Sequence, residues 1–406
     1  MVRFLVIERI RQLPNTPEHA REEIQLQNAL GVSLITTRGP VPEVEEAYLR
    51  ARQLAERTGD TRQAYDAAWG LWYVNHMRMR FKTARDLSYE LLELAKRERD
   101  NGLLLQAHHA AWPVLLYGGE FLLCREHTEQ GLSLYDPHEH RSHALRYAGH
   151  DPGVCCRYHS ALALWLLGCP DQAMAMANDA VQLAQQLAQP YSLAIALGYI
   201  SFLHQFCGEA RLAQEYAEAT IARSVEQAYL QYRATGTLIR GWAVAAQGDV
   251  EAGAAAVREG LAALSAAGAD VRRSYFLALL ADICGRAGWL EVAQTAVAEA
   301  LAFAEESGER WWEADLHRLE GELLLIRASD NQAEAEACFR RALEVAQAQS
   351  GKALELRAST SLARLWAEQG RRAEAHDLLA PIYGWFTEGF DTADLKDAKA
   401  LLEELR

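Results

Sequence analysis

The residue types best suited to chemistry gather in three places. The run DPHEHRSHALRYAGHDPG, residues 136–153, carries His138, His140 and His143 beside Asp136 and Glu139. A zinc ion needs three or four such ligands converging at about 2 Å. A loop does not hold side chains in that arrangement, so these histidines are expected to titrate in solvent with no metal bound. The run ends in His150-Asp151-Pro152-Gly153. Asp is a strong helix N-cap and Pro suits the first helical turn, so a cap is preferred to a catalytic loop, with His150 at the start of a helix that faces inward. In the third place Glu313 and His317, and Arg318 and Glu322, stand four residues apart. That spacing puts each pair on one helix face as intrahelical partners. There is no H-E-x-x-H and no G-x-S-x-G. Ser350-Gly351-Lys352 is followed by Ala353 and lacks a glycine at position 346, so it is not a P-loop. The chain is expected to be non-catalytic, with no cofactor and no resident metal.

The elements that would position these residues follow a ruler. Gly168, Gly208, Gly248 and Gly288 are spaced forty apart, as are Met79 and Gly119, and Gly370 lies a little over two further periods beyond Gly288. A fixed period of this size means stacked copies of one supersecondary unit sharing a continuous core. Each mark is followed by an Ala-rich helix, as at Pro170–Ala184 and Leu290–Glu305. Before it, Tyr158, Leu162, Trp165 and Leu166 recur at three- and four-residue steps. Both patterns are amphipathic helices, and nothing alternates as a strand would. Each unit therefore reads as helix A, tight turn, helix B. The units fall near 19–59, 61–99, 101–135, 151–188, 190–227, 229–268, 270–307, 309–350 and 351–380. An inserted loop (136–153) and a short polar insertion near 328–332 break the frame. After a turn at 387–391, a last helix capped by Asp391 or Thr392 runs to Leu405.

The predicted fold class is all-α: a right-handed α-solenoid of about nine helical hairpins with a C-terminal capping helix. It is taken as one domain over 1–406, with N-terminal repeats 1–135, the loop 136–153, core repeats 154–380 and a cap 381–406. Small residues recur where helix A meets helix B: Gly241, Ala281 and Ala363 on helix A, and Ala173, Ala213, Ala293 and Ala375 on helix B. In this the units resemble tetratricopeptide repeats, in a variant with longer helices than the usual thirty-four-residue period. From about residue 147 onward, HDPGV, LWLLGCPDQA, RGWAVAAQGD, GERWWEADLHRLEGELLL and LAPIYGWFTEGFDTADLKDAKALLEEL resemble the C-terminal repeat region of bacterial signalling proteins. In those proteins a nucleotide cyclase or similar module and an AAA/STAND-type ATPase precede the repeats. No catalytic module is present here, so the resemblance implies a sensing or docking array.

In tetratricopeptide superhelices helix A builds the concave wall. Transferring those positions gives Trp69, Tyr73, His76, Gln106, His109, Tyr158, Trp165, Phe202, Gln205, Trp242, Tyr275, Asp282, Arg318 and Glu322 as candidate binding residues. Aromatic platforms mixed with donors and charges suit an extended peptide or a helix. The alternative is that the aromatics fill a helical core. The expected function is a protein- or peptide-binding scaffold or sensor in bacterial signal transduction, its partner an ATPase or cyclase module or another protein. A second function stands beside it: a small-molecule sensor whose pocket is closed by the 136–153 loop. Self-association through the apolar ends of the stack is a further expectation. A net charge of −14, from 41 Lys+Arg and 55 Asp+Glu, disfavours nucleic acid and anionic membranes as partners. Seven scattered cysteines without a CxxC pair give no disulfide framework and point to a reducing cytoplasm. The uncharged stretch 190–208 is near the length of a membrane span, but its register in the ruler makes it a buried helix A. The start, Met1–Leu13, is apolar but broken by charges and is not expected to be a signal peptide.

Overall fold

The computed structural model describes residues 16–406. The expectation about Met1–Leu13 lies outside the described residues. Nine A–B hairpins follow one another: α1 (Pro17–Arg38) with α2 (Pro42–Thr58), α3 (Thr61–Met77) with α4 (Phe81–Glu98), α5 (Asn101–Tyr117) with α6 (Phe121–Leu134), then, after the short α7 (His143–Arg146), α8 (Pro152–Leu166) with α9 (Pro170–Leu187) and α10 (Pro190–Phe206) with α11 (Ala210–Gln227). The rest are α12 (Leu230–Ala246) with α13 (Val250–Ala266), α14 (Arg273–Arg286) with α15 (Leu290–Ser307), α16 (Glu313–Arg327) with α17 (Gln332–Ala348) and α18 (Lys352–Glu368) with α19 (Arg372–Tyr383). The last helix, α20 (Ala393–Leu405), buries Leu395, Leu402 and Leu405 against the final hairpin as a cap. No strand occurs among the described residues. None of their helices is long and apolar enough to cross a membrane, and the uncharged stretch 190–208 is the buried α10.

The ruler is a row of helix C-caps. Gly119, Gly168, Gly208, Gly248, Gly288 and Gly370 all have φ between 77 and 111°, and Met79 shares their position at φ 50°. The next N–H reaches back into the last turn of helix A, as from Cys169 to the Leu164 carbonyl and from Trp289 to that of Cys284, both 2.8 Å. This is the Schellman closure, which a glycine makes without steric strain. The small positions are where helices meet most closely. A Cβ on Gly241 would lie 2.7 Å from the Gly253 carbonyl oxygen, so α12 and α13 pack backbone to backbone. Ala173, Ala213, Ala281, Ala293, Ala363 and Ala375 have no exposed surface.

The coil is tight enough to close on itself. Asp270 and Val271, opening the seventh hairpin, donate their N–H groups to the Met77 carbonyl at the end of the second hairpin's helix A. Arg310 and Trp311 do the same to Tyr117, one hairpin further on in each turn. Ala393, opening the cap, donates to Cys207 at 3.4 Å. Each hairpin thus rests on the one five places later, and two successive turns of the coil are in contact.

The insertion is built into this wall. Asp66 of α3 accepts from Arg146 at 2.5 Å and from the Tyr147 hydroxyl at 2.7 Å, and Tyr147 is fully buried. His140 and His143 are also buried rather than solvated, because the segment folds inward onto α3 and α5. Asp151 is the N-cap of α8, accepting from Gly153 and Val154 at 2.9 and 3.1 Å, with Pro152 at the first position.

Candidate functional site

Because the coil is tight, the inward faces of most A helices meet one another. The structure divides the fourteen helix-A candidates accordingly. Trp69, Gln106, Phe202 and Tyr275 are fully buried. Trp69 donates its indole N–H to the Gln106 carbonyl at 3.1 Å, and Tyr275 donates its hydroxyl to Gln205 at 2.8 Å. Tyr73, His76, His109 and Tyr158 are buried around a small space of about 30 Å³. Trp165 borders another of about 20 Å³ and lies under the Arg357 guanidinium, 5.0 Å from its ring centre. Only Gln205, Trp242, Asp282, Arg318 and Glu322 reach an open cavity, of about 450 Å³.

Arg272 holds the sealed part of the axis together. It is buried and donates to the hydroxyls of Tyr117 and Tyr199, which lie 3.2 Å apart. Its guanidinium stands 5.3 Å from the Tyr199 ring centre and 5.6 Å from that of Phe202, a cation–π arrangement. Glu309, fully buried, accepts from the Arg272 backbone N–H (2.8 Å), from the Ser274 N–H and hydroxyl, and from the Trp311 indole. Burial raises Glu309 to about 7 against these donors. Burial, and then the Arg272 charge, drive His76 down to about 3, so it is neutral at physiological pH.

The open cavity is of another character. Helices α10, α12, α14, α16, α18 and α20 surround it. Arg318 pairs with Asp315 and Glu322, both at 2.6 Å, and Ser361 donates to the same Glu322 oxygen at 2.9 Å. Arg357 pairs with Asp394 at 2.7 Å and donates to the Phe206 carbonyl. Arg364 and Asp397 form a two-pronged pair at the mouth (2.8 and 2.9 Å), and Arg286 pairs with Asp282. Burial pushes Asp315 up, but Arg318 and Arg357 outweigh it and hold the carboxyl below its ordinary range. Trp242 and Trp312 supply the flat apolar surfaces. Fixed charges of both signs around indole rings can orient a dipolar ligand and cover its apolar parts. The anticipated pair Arg318–Glu322 is present at 2.6 Å; His317 and Glu313 come only to 4.0 Å.

Arg272, Trp312, Asp315, Arg357 and Arg364 were not among the sequence candidates. The ruler itself points to some of them: Tyr232, Arg272 and Trp312 are forty apart and all turn toward the axis. The inserted residues 136–153 do not reach the 450 Å³ cavity. They line a separate open depression of about 910 Å³, with α1 and the α9–α10 junction.

No family model matches the chain. An uncharacterized protein of Rhizobium meliloti (strain 1021) is 27% identical over 346 residues, 84% of this chain but 33% of that protein, so the chain spans about a third of that relative's length. Among solved structures, a Rap protein complexed with competence and sporulation factor matches with a TM-score of 0.62 at 12% identity, over 95% of this chain and 100% of that one. The apo form of the quorum sensor NprR from B. thuringiensis matches at 0.51 and 15%, over 90% and 98% of the two chains. The Rap conjugation gene regulator of plasmid pLS20, in complex with a Phr peptide, matches at 0.51 and 10%, over 94% and 95%. At these identities the likeness is one of fold. The chain is a tetratricopeptide-like helical repeat protein.

Proposed function

We propose that the chain is a non-catalytic peptide-binding sensor or scaffold, and that its ligand enters the 450 Å³ cavity between α10 and α20. One observation carries this reading. Where the inner faces of the A helices otherwise leave little space between them, here Trp242, Trp312 and a lattice of four arginines and five carboxylates line one cavity, with Arg364 and Asp397 exposed to solvent. The volume lies within the range of specific ligand pockets, roughly 300–1,000 Å³, and suits the end of a peptide better than a long extended one. The similar folds whose solved structures hold a signalling factor or a Phr peptide support the reading.

The test is affinity selection from a library of short synthetic peptides, followed by titration calorimetry. Trp242→Ala and Arg364→Ala are expected to weaken the selected peptide about tenfold or more. Peptides that bind both variants as well as the parent would remove the cavity from the reading.

A second reading rests on the depression beside the insertion, about 910 Å³ with Leu145 exposed on its rim. It makes the chain a small-molecule sensor, and predicts thermal shifts with a metabolite panel that Leu145→Asp abolishes and Arg364→Ala leaves alone. Within either reading, the array would serve an ATPase or cyclase signalling module. The motifs from residue 147 onward and the much longer Rhizobium relative support that context, and the coding sequence flanking this one tests it.

A further inference from the structure

A cluster of metal-binding side chains sits where the insertion interrupts the ruler, away from the ligand cavity. Nε2 of His109, on α5, and Nε2 of His150, just before α8, face each other at 3.1 Å. Cys155, one turn into α8, brings its Sγ to within 4.8 Å of both. All three residues are buried, and all line the small space of about 30 Å³.

The hydrogen bonds around the pair set the tautomers. Nδ1 of His109 lies 3.0 Å from Gln106 Oε1, while Gln106 Nε2 donates to His143 at 2.9 Å. Nδ1 of His150 faces the Ala148 carbonyl at 3.4 Å. With each Nδ1 carrying the proton, both Nε2 atoms are bare acceptors, and two lone pairs point at each other. His159 lines the same space. Its Nδ1 is held by the Cys155 carbonyl at 3.1 Å, and its buried Nε2 has no partner. Imidazoles whose outer nitrogens are anchored by carbonyl or amide oxygens are the usual second shell of a metal site.

We propose that His109, His150 and Cys155 form a buried site for a thiophilic d10 cation, Zn²⁺ or Cu⁺, which clamps the insertion to α5 and α8. Two nitrogens at tetrahedral positions, each about 2.05 Å from a metal, stand about 3.3 Å apart, close to the separation already present. The sulfur moves inward by about 1 Å to complete the set. Both imidazoles bind in their neutral form, and burial has pushed the Cys155 thiol up to about 12. Binding therefore expels one proton, that of the thiol, and leaves a metal–thiolate bond. A Cu⁺–thiolate unit is neutral and needs only the three donors. Zn²⁺ keeps a positive charge and calls for a fourth donor beyond these three.

The test is expression of the full chain in media supplemented with zinc, copper or cobalt, with metal content measured by mass spectrometry after desalting. The expectation is about one metal per chain, falling below about a tenth in Cys155→Ser and His150→Gln and unchanged in Cys169→Ser and His138→Gln. Should a variant not fold, the parent with cobalt still decides: a near-ultraviolet thiolate-to-cobalt band marks the Cys155 ligand. Parent protein free of metal in all three media and lacking that band would overturn the proposal. The pair would then be an ordinary hydrogen bond with the Gln106 amide reversed. Metal retained in both ligand variants would overturn it equally.

Discussion

The two ends of the same axis solve the burial of polar groups in opposite ways. Toward the N-terminus, α3, α5 and α8 fill it with indole, phenol and imidazole rings that stay neutral, such as Trp69, Tyr158 and His76, bound to one another and to backbone carbonyls. Toward the C-terminus, α14, α16, α18 and α20 line it with full charges that neutralise each other in pairs. Neutral rings can be packed until no space is left. Paired charges are costly to strip of water, and theirs is the end where the cavity is open. The difference explains why one repeating hairpin yields a plug in one half and an open cavity in the other.

Substitutions at the two ends should separate most. Trp69→Ala removes a fully buried ring and is expected to lower unfolding stability by roughly 3–5 kcal/mol in chemical denaturation. Arg364→Ala breaks an ion pair whose side chains are 45% and 55% exposed, and exposed pairs contribute at most about 1 kcal/mol. It should act on ligand affinity instead. A loss with Arg364→Ala as large as that with Trp69→Ala would mean that the C-terminal end is core as well.

Acid provides the next largest separation. The folded pKa of His76 is depressed to about 3 from 6.5, and that of His143 to about 4 by burial and then by His140. A base with a depressed folded pKa contributes stability that is complete above the unfolded value and is lost as pH falls below it. By pH 5 each of these histidines should have withdrawn about 2 kcal/mol. Asp315 works in another window: its folded pKa lies below 3.8, so its contribution persists until the pH drops through that lower value. Glu309 has the opposite sign. Raised to about 7, it favours the folded state increasingly as pH falls from 7 toward 4.5. Hydrogen exchange at pH 5 should therefore show α3, α5 and α8 losing protection before α14, α16 and α18. Uniform loss along the chain would mean that the coil unfolds as one unit and hides the local difference.

How much of this was legible in the sequence follows from what each residue type can signal. The turns from helix A to helix B were plain, because a left-handed C-cap selects glycine and six of the seven marks are glycines. The fully apolar face of α10, the Asp151-Pro152 helix start and the buried small positions were legible for similar reasons. The filling of the axis was not. An inward-facing Trp69 has the same helical register whether it meets a ligand or Gln106 on helix A of the next hairpin, and only the tightness of the coil decides. That tightness is set by contacts such as Arg310 with Tyr117, which no periodicity displays. The insertion was misleading too. Its histidines suggested solvent, whereas Tyr147 and Arg146 reach Asp66 and pull the segment inside.

A second ruler went unseen, and it supplies the smallest effect. The turns from helix B to the next helix A also place one residue in the left-handed region, at Arg99, Ala188, Ala228, Gly268 and Gly308. Ala188, Ala228, Gly268 and Gly308 are again forty apart, and Gly59 and Ser350 hold the same place toward either end of the stack, so the mark is taken by residues with and without a Cβ. A left-handed residue with a Cβ costs about 1–2 kcal/mol, part of which glycine returns as unfolded-state entropy. Ala228 is exposed at φ 58°, and a Cβ on Gly268 would meet nothing nearer than 3.7 Å, so packing does not confuse the exchange at either site. Ala228→Gly is expected to raise the denaturation midpoint by the equivalent of about 0.5 kcal/mol, and Gly268→Ala to lower it by about 1 kcal/mol. Opposite signs at two turns of identical geometry would show that the hairpins are conformationally equivalent and that the two ends differ only in what their inner faces carry. Equal signs would mean that the turns themselves are built differently, and that the contrast along the axis begins in the backbone.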